Sequence, residues 1–450
     1  MVKVKIFNPQ NGSKIPLPVK FKLPAEIKGD YWVTKNSKGE TVVAQRLYHD
    51  EENNFVAVVT FAGAQEELTF DHEISVDQVK GIKEIKTAQE KDAYVHLNTG
   101  KFDFELCRGT AMGEGSSKWG LRHFMAIDEK KDLLPSGNNA IGGFYGPFFT
   151  PDNGLINPAE HIIVDIEPIE DGPVMKKYRL SGRIPDGLKP ELHGKRFALD
   201  WSFYYNVPFF SRTYQVDHFQ TTVNNRSIVD KITVGDEFES GIGQLVFDRF
   251  AAYDGVWYRE GDPYSGQLAK KVQELVHDSQ KRSTRFENFR QQLTDNMENA
   301  HWDLYWRLFS VWENALTPDE IETNLQDVRQ KAFVLAELNN RPWLYSSDPV
   351  NVSSVPDQTI FAGPATKSAK INTKTGQAMI WQTDQAASAF QIVQRPQSGW
   401  QNWGTNAENE CPSLPVGSLI HTAYGPYQDN WREVADSLAA IVKIKTEIHL

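Results

Sequence analysis

The stretch Tyr214–Phe238, YQVDHFQTTVNNRSIVDKITVGDEF, constrains the fold most, because it alternates at a strand period, breaks at Asn224-Asn225 and resumes. Val216, Phe219, Thr221 and Val223 nearly hold one phase before the Asn pair, and Val229, Ile232 and Val234 take it up afterwards, as half-buried antiparallel strands do. Asn tolerates the left-handed backbone of a tight turn, so this is a hairpin that ends in the carboxylates Asp236, Glu237 and Glu239.

The same period recurs on both sides. Short strands are expected at Val2–Phe7, Val19–Leu23, Tyr31–Val33, Thr41–Leu47, Phe55–Phe61 and Glu67–Phe70, separated by turn residues such as Asn11-Gly12 and Lys38-Gly39. They predict a small β-barrel or sandwich over residues 1–80. Longer strands follow at Ala93–Leu97, Phe102–Leu106, Ile162–Pro168, Met175–Arg183 and Arg196–Tyr205, and predict the first part of a large antiparallel sandwich over 81–262.

After Pro263 the spacing turns helical. Leu268, Val272, Leu275 and Val276 form one stripe, continued by Phe286, Phe289 and Leu293, and Trp302, Tyr305, Trp306, Phe309 and Trp312 form an aromatic face. Thr317-Pro318-Asp319-Glu320 reads as a helix start running to about Leu338. A helical insertion is therefore expected over 263–345. Strands return over 346–450, at Gln358–Phe361, Ala378–Gln382, Phe390–Gln394 and Ser418–Thr422. A final helix is expected near Asn430–Ile441, with Asp429 as its cap and Trp431, Val434, Leu438 and Ile441 on one face. The fold class is mainly β.

With 450 residues the chain can bury a core in several layers, and a deep cleft with it. A net charge of −11 argues against nucleic acid and anionic membrane as partners, since no dense Lys/Arg run offsets it. No run of about 18 apolar residues occurs, so no transmembrane helix is expected. The alternating N-terminus lacks a signal-peptide core, which makes the cytoplasm the expected location and the sequons at Asn11, Asn225 and Asn351 chance matches. Cys107 and Cys411 lack metal-site spacing and are read as buried apolar residues. No metal site and no cofactor are expected.

Chemistry-bearing residues cluster in the β regions. Arg122 can pair with a carboxylate and His123 can exchange protons near neutral pH, but neighbours in a strand point to opposite faces, so a shared ligand requires a bulge or loop there. His161 and His218 are further proton-transfer candidates beside Glu160 and Asp217. The Gly-rich segment with Phe144, Tyr145, Phe148 and Phe149 can lie over a sugar ring, and so can Trp400 and Trp403 in SGWQNWG. Tyr205 in WSFYYN and Tyr424 in TAYGPYQDNW supply hydroxyls. No phosphate loop, catalytic-triad order, zincin motif or EF-hand is present.

The succession of a small β domain, a large sandwich and the DHFQTTVNNRSIVDKITVGDEF hairpin, with the segment Val174–Asn206, resembles the galactose-mutarotase-like supersandwich group. That group includes sugar epimerases, polysaccharide lyases and glycoside hydrolases. The N-terminal β domain is also similar to the barrel of rhamnogalacturonan exolyase-type proteins. The mutarotase motif of a His followed by aromatics is absent, and VGDEF stands in its place. The resemblance implies an antiparallel supersandwich and an enzyme acting on an oligosaccharide or a uronate-containing sugar.

In the lyase form of that reading, Arg122 neutralises the substrate carboxylate, His123 or His218 is the base, and Tyr205 or Tyr424 protonates the leaving oxygen. The alternatives are an epimerase, mutarotase or glycoside hydrolase, for which Asp236 and Glu237 matter more, and a non-catalytic carbohydrate-binding protein. In the lyase reading Arg122, His123, His218 and Tyr205 meet in one cleft under the Gly142–Phe149 segment.

Overall fold

The computed structural model describes residues 1–49, 53–90, 94–109, 119–134, 141–145, 163–183, 194–217, 220–223, 226–229, 231–239, 247–251, 333–338, 341–345, 350–351, 358–395, 400–404 and 414–449. The protein is mainly β, as the period-two patterning requires.

Two facing sheets make up the N-terminal part. Val2–Phe7 is the centre of a three-stranded sheet, between Gln65–Phe70 and the C-terminal strand Lys445–His449. Its alternation is direct: Val2, Val4 and Ile6 are buried, while Lys3 and Lys5 point outward. The second sheet has the order Leu17–Lys22, Asn54–Val59, Thr41–Arg46, Tyr31–Lys35, His72–Glu73. Phe21 stacks on Phe55 and Phe70 between them. A short helix, Val76–Ile82, leaves this sandwich through a capping box in which Ser75 and Gln78 satisfy each other's backbone N–H.

Two broader antiparallel sheets follow. One runs Lys86–Glu90, Tyr94–Asn98, Phe102–Cys107, Gly120–Ala126, Ile141–Tyr145, Lys231–Glu239 and Trp400–Gly404. The other runs Asp165–Asp171, Met175–Arg183, Arg196–Tyr204, Phe209–Val216, Leu419–Gly425 and Gln377–Arg395. The long strand Gln377–Arg395 pairs with Leu419–Gly425 in its first half and with Trp400–Gly404 in its second, so it joins the two sheets.

Between the sheets lies an aromatic core. Phe102, Phe104 and Phe124 from the first sheet, with Trp119 just before its strand Gly120–Ala126, meet Trp201, Phe203, Phe210 and Trp381 from the second. Burying such side chains contributes roughly 1.5–3 kcal/mol each, which is why this interface organises the molecule. The outer face of the second sheet carries Met175, Tyr204, Phe209 and Ile380 into another core, shared with the N-terminal sandwich and the final helix.

The opening hairpin forms: Gln220–Val223 pairs with Arg226–Val229, with Val223 directly opposite Arg226. It is a two-stranded unit, separate from Phe209–Val216 and Lys231–Glu239. The helices expected from Leu268 to Trp312 lie outside the described residues. The helix expected to continue to Leu338 is corrected at its end, where Phe333–Leu338 is a strand paired with Arg341–Tyr345. A short apolar run fits either period, and the Asn339-Asn340 pair that follows is a hairpin signal of the same kind as Asn224-Asn225.

The final helix spans Trp431–Ala440 with Asn430, not Asp429, at its cap, because the preceding turns carry the chain one residue further. Trp431, Val434 and Leu438 are buried, and Ile441 begins a 3₁₀ turn.

Candidate functional site

The strand Phe102–Cys107 builds the site. Its apolar residues Phe102, Phe104 and Leu106 enter the core, which leaves Asp103 and Glu105 on the outer face. Glu105 is in register with His96 on one side and His123 on the other. Directly opposed residues hold their Cβ atoms about 4.5–5.5 Å apart, so the carboxylate stands between two imidazoles.

Each histidine has its own acid. His123 Nδ1 lies 2.8 Å from Asp132 Oδ2, and Asp132 Oδ1 accepts the backbone N–H groups of Phe124 and Leu134. His96 Nε2 lies 2.5 Å from Asp103 Oδ1, a close contact without hydrogen-bond geometry. The hydrogen bond to Asp132 raises the His123 pKa above its ordinary value, against the opposing effect of partial burial, and Glu105 and Asp103 add to the rise. Burial pushes the Asp132 carboxyl up, but the hydrogen bonds from His123, Leu134 and Phe124 outweigh it and leave its pKa lowered. His123 is therefore held towards its protonated form beside an acceptor carboxylate.

The bulge that the Arg122-His123 pair requires is present. Glu105 faces His123, yet the next residue, Leu106, faces Leu121, so Arg122 is the extra residue. Arg122 and His123 are both half-buried while Leu121 and Phe124 are fully buried. Arg122 Nε is buried with no hydrogen-bond partner among the described residues.

Register extends the site across four strands. Leu121 pairs with Ile141, Ile141 with Asp236, and Asp236 with Trp403. Two strand spacings put the Arg122 and Glu237 backbones about 10 Å apart. Tyr145 pairs with Thr233, Glu237 with Asn402, and Trp400 with Glu239. Arg122, His123, Tyr145, Asp236, Glu237, Trp400 and Trp403 thus belong to adjacent strands of one sheet.

Tyr205 and Tyr424 lie elsewhere. Tyr205 packs against the aromatic core at the end of its strand, beside Gly100. Tyr424 is buried edge-on against Phe124 and donates its hydroxyl to Glu129 at 2.9 Å. Since Phe124 points inward, its neighbour His123 faces the other way, and neither tyrosine shares a face with it. His161, His218 and Phe148 lie outside the described residues.

Sequence reading missed His96, Asp103, Glu105 and Asp132. The signal for three of them was the alternation in YVHLN and FDFELC, which places His96, Asp103 and Glu105 opposite the apolar phase. Cys107 is buried as expected, and burial pushes its thiol up to about 12. Among the described residues no group of His, Cys, Asp and Glu is arranged to hold a metal ion, and no helix is long and apolar enough to cross a membrane.

No family model matches the chain, and no curated protein matches it. Among solved structures, it is similar to an α-mannosidase from Enterococcus faecalis at 7% identity and a TM-score of 0.43, over 100% of this chain and 46% of that one. It is also similar to galactose 1-epimerase from Lactobacillus acidophilus, at 10% identity and a TM-score of 0.31, over 76% of this chain and 99% of that one. A galactose mutarotase related enzyme from the same organism gives 8% identity and a TM-score of 0.34, over 77% of this chain and 98% of that one. The chain spans just under half the length of the mannosidase. At these identities and scores the likeness transfers no residue, substrate or reaction.

Proposed function

We propose that this chain is a carbohydrate-active enzyme that moves a proton on a sugar substrate, with the outer face around Glu105 and His123 as its acid–base centre. The observation that carries this reading is Glu105 standing in register between two histidines, each held by a separate carboxylate. One group accepts a proton and the neighbouring one donates, which is the minimum apparatus of general acid–base catalysis. Tyr145 and Trp400, aromatic residue types of the kind on which sugar rings stack, stand at register positions of the same parity as Glu237 on adjacent strands of this sheet.

The finer form of the proposal is β-elimination on a uronate. The Arg122 guanidinium, displaced by the bulge and with its Nε unpartnered among the described residues, takes the substrate carboxylate and stabilises the negative charge that builds on proton removal. Glu105 accepts the C5 proton. The C4–O bond then breaks, its electrons leave with the oxygen, and His123 protonates that oxygen. A second reading, ring opening and epimerisation of a neutral sugar, uses the same acid and base without Arg122.

A panel of oligosaccharides and uronides separates these readings. Conjugated unsaturated product that disappears in Arg122→Gln supports elimination; anomer or epimer interconversion that survives Arg122→Gln supports the second reading. New reducing ends without unsaturation would assign hydrolysis instead, and binding without turnover across the panel would remove the enzymatic reading.

A further inference from the structure

A second polar site lies on the opposite side of the molecule, on the outer face of the second large sheet. The even-numbered residues of Arg196–Tyr204 point away from the aromatic core, and with the odd-numbered residues of Phe209–Val216 and Leu419–Gly425 they meet the N-terminal sandwich and the segment Ile441–Ile444. Between these parts is a cavity of about 330 Å³. Ser202, Ser211, Thr213 and His421 form its polar floor, and Tyr204 and Ile444 are among its apolar walls.

The floor is built and nearly dry. Ser211 is 5% exposed and His421 3% exposed, and the Ser211 hydroxyl and His421 Nδ1 share a 2.7 Å hydrogen bond. Phe209 packs edge-on against the imidazole at 5.7 Å. Burial lowers the His421 pKa to about 3, so the ring is neutral. A neutral imidazole offers one donor and one acceptor, and it is a poor base. Asp200, also on this face, is already engaged by Arg179 at 2.7 and 2.9 Å and by Lys177 at 3.1 Å. What the cavity presents to a guest is therefore a set of hydroxyls and a neutral imidazole, backed by an aromatic and aliphatic wall, with Lys20 and Lys177 also in the lining.

The geometry points to a binding site for one neutral sugar ring, distinct from the acid–base face and without catalytic chemistry of its own. The volume falls within the range of small-ligand pockets, and a pyranose matches the lining because its rim of hydroxyls and its apolar C–H face need those two surfaces. Within the lining Asp200 and Lys177 compensate one another, and Lys20 is the exposed cation whose pull on a charged guest the uronate arm below measures. The site is walled on three sides by separate parts of the chain, so an occupied ring tethers the N-terminal sandwich and the C-terminal segment to the large sheet.

The test titrates full-length protein, labelled at its histidine rings, with glucose, galactose and mannose, and in a parallel arm with glucuronate and galacturonate. Saturable movement of the His421 ring signal by a neutral hexose is expected, and it reads the site without any variant. Ser211→Ala and the cavity-filling Ser202→Phe should weaken that binding at least tenfold, whereas Glu105→Gln should leave it unchanged. No saturation of the His421 signal by any of the three hexoses overturns the proposal. Tighter response to a uronate overturns the neutral class, and binding lost in Glu105→Gln but kept in Ser202→Phe would place the sugar on the other face. Ser202 is half-exposed, so its replacement tests the site even if Ser211→Ala fails to fold.

Discussion

His123 and Asp132 are joined by a 2.8 Å contact across the turn that follows the strand Gly120–Ala126, and two backbone N–H groups fix the same carboxylate in place. This single pairing sets the protonation state of the histidine that faces Glu105.

Its pH dependence follows from the two directions of shift. His123 has a folded pKa raised above 6.5, so its stabilisation is complete below that value and is lost as pH rises through the raised one. Asp132 has a folded pKa lowered below 3.8, so its stabilisation is present above 3.8 and is lost as pH falls through the lowered one. Thermal melts should therefore plateau at weakly acid pH and decline on both sides. In Asp132→Asn the alkaline decline should shrink and the His123 pKa, read by NMR, should fall back towards its ordinary value, with Glu105 and Asp103 still raising it. The half-exposed pair contributes about 1 kcal/mol or less.

Glu105→Gln and His123→Gln should each lower kcat by roughly 10²–10⁴-fold, the usual contribution of one positioned acid or base. Neither should move the melting temperature much, because both side chains are partly exposed. His96→Gln serves as the comparison, since its contact with Asp103 lacks hydrogen-bond geometry. A large loss of stability with no change in kcat would assign Glu105 and His123 to the framework.

Gln45 holds the N-terminal sandwich to the second large sheet. Its side-chain oxygen accepts the N–H groups of Val174 and Met175, and its nitrogen donates to Met175 O. Gln45→Leu removes the acceptor of two buried backbone N–H groups, those of Val174 and Met175, while Met175 O keeps the Gly172 N–H, and should cost about 2–4 kcal/mol in chemical denaturation. Gly172→Ala should act similarly, because an added Cβ would fall 2.1 Å from the Gln45 side chain.

Caps give a paired test of local structure. Ser75→Ala removes one half of a capping box and should cost about 1 kcal/mol. Asn430→Ala should cost less than about 0.5 kcal/mol, since the Asn430 side chain makes no capping hydrogen bond. Equal losses for the two would contradict the assigned geometry.

The sequence by itself determined the local elements whose apolar period is unambiguous: the strand Val2–Phe7, the strand Met175–Arg183, the hairpin of Gln220–Val223 with Arg226–Val229 and the buried face of Trp431, Val434 and Leu438. These follow from side chains within a few residues of one another, where a period of two or 3.6 decides which face is wet. The paired strand Phe333–Leu338 was misread because a six-residue apolar run satisfies either period, and only its partner Arg341–Tyr345 selects the extended form. Register was decided by tertiary structure alone. Nothing local says that Glu105 faces both His96 and His123, that the bulge falls at Arg122, or that Tyr205 and Tyr424 turn towards the aromatic core. Those relations depend on which residues of paired strands stand opposite each other, and a shift of one residue in any pairing would carry each side chain to the opposite face.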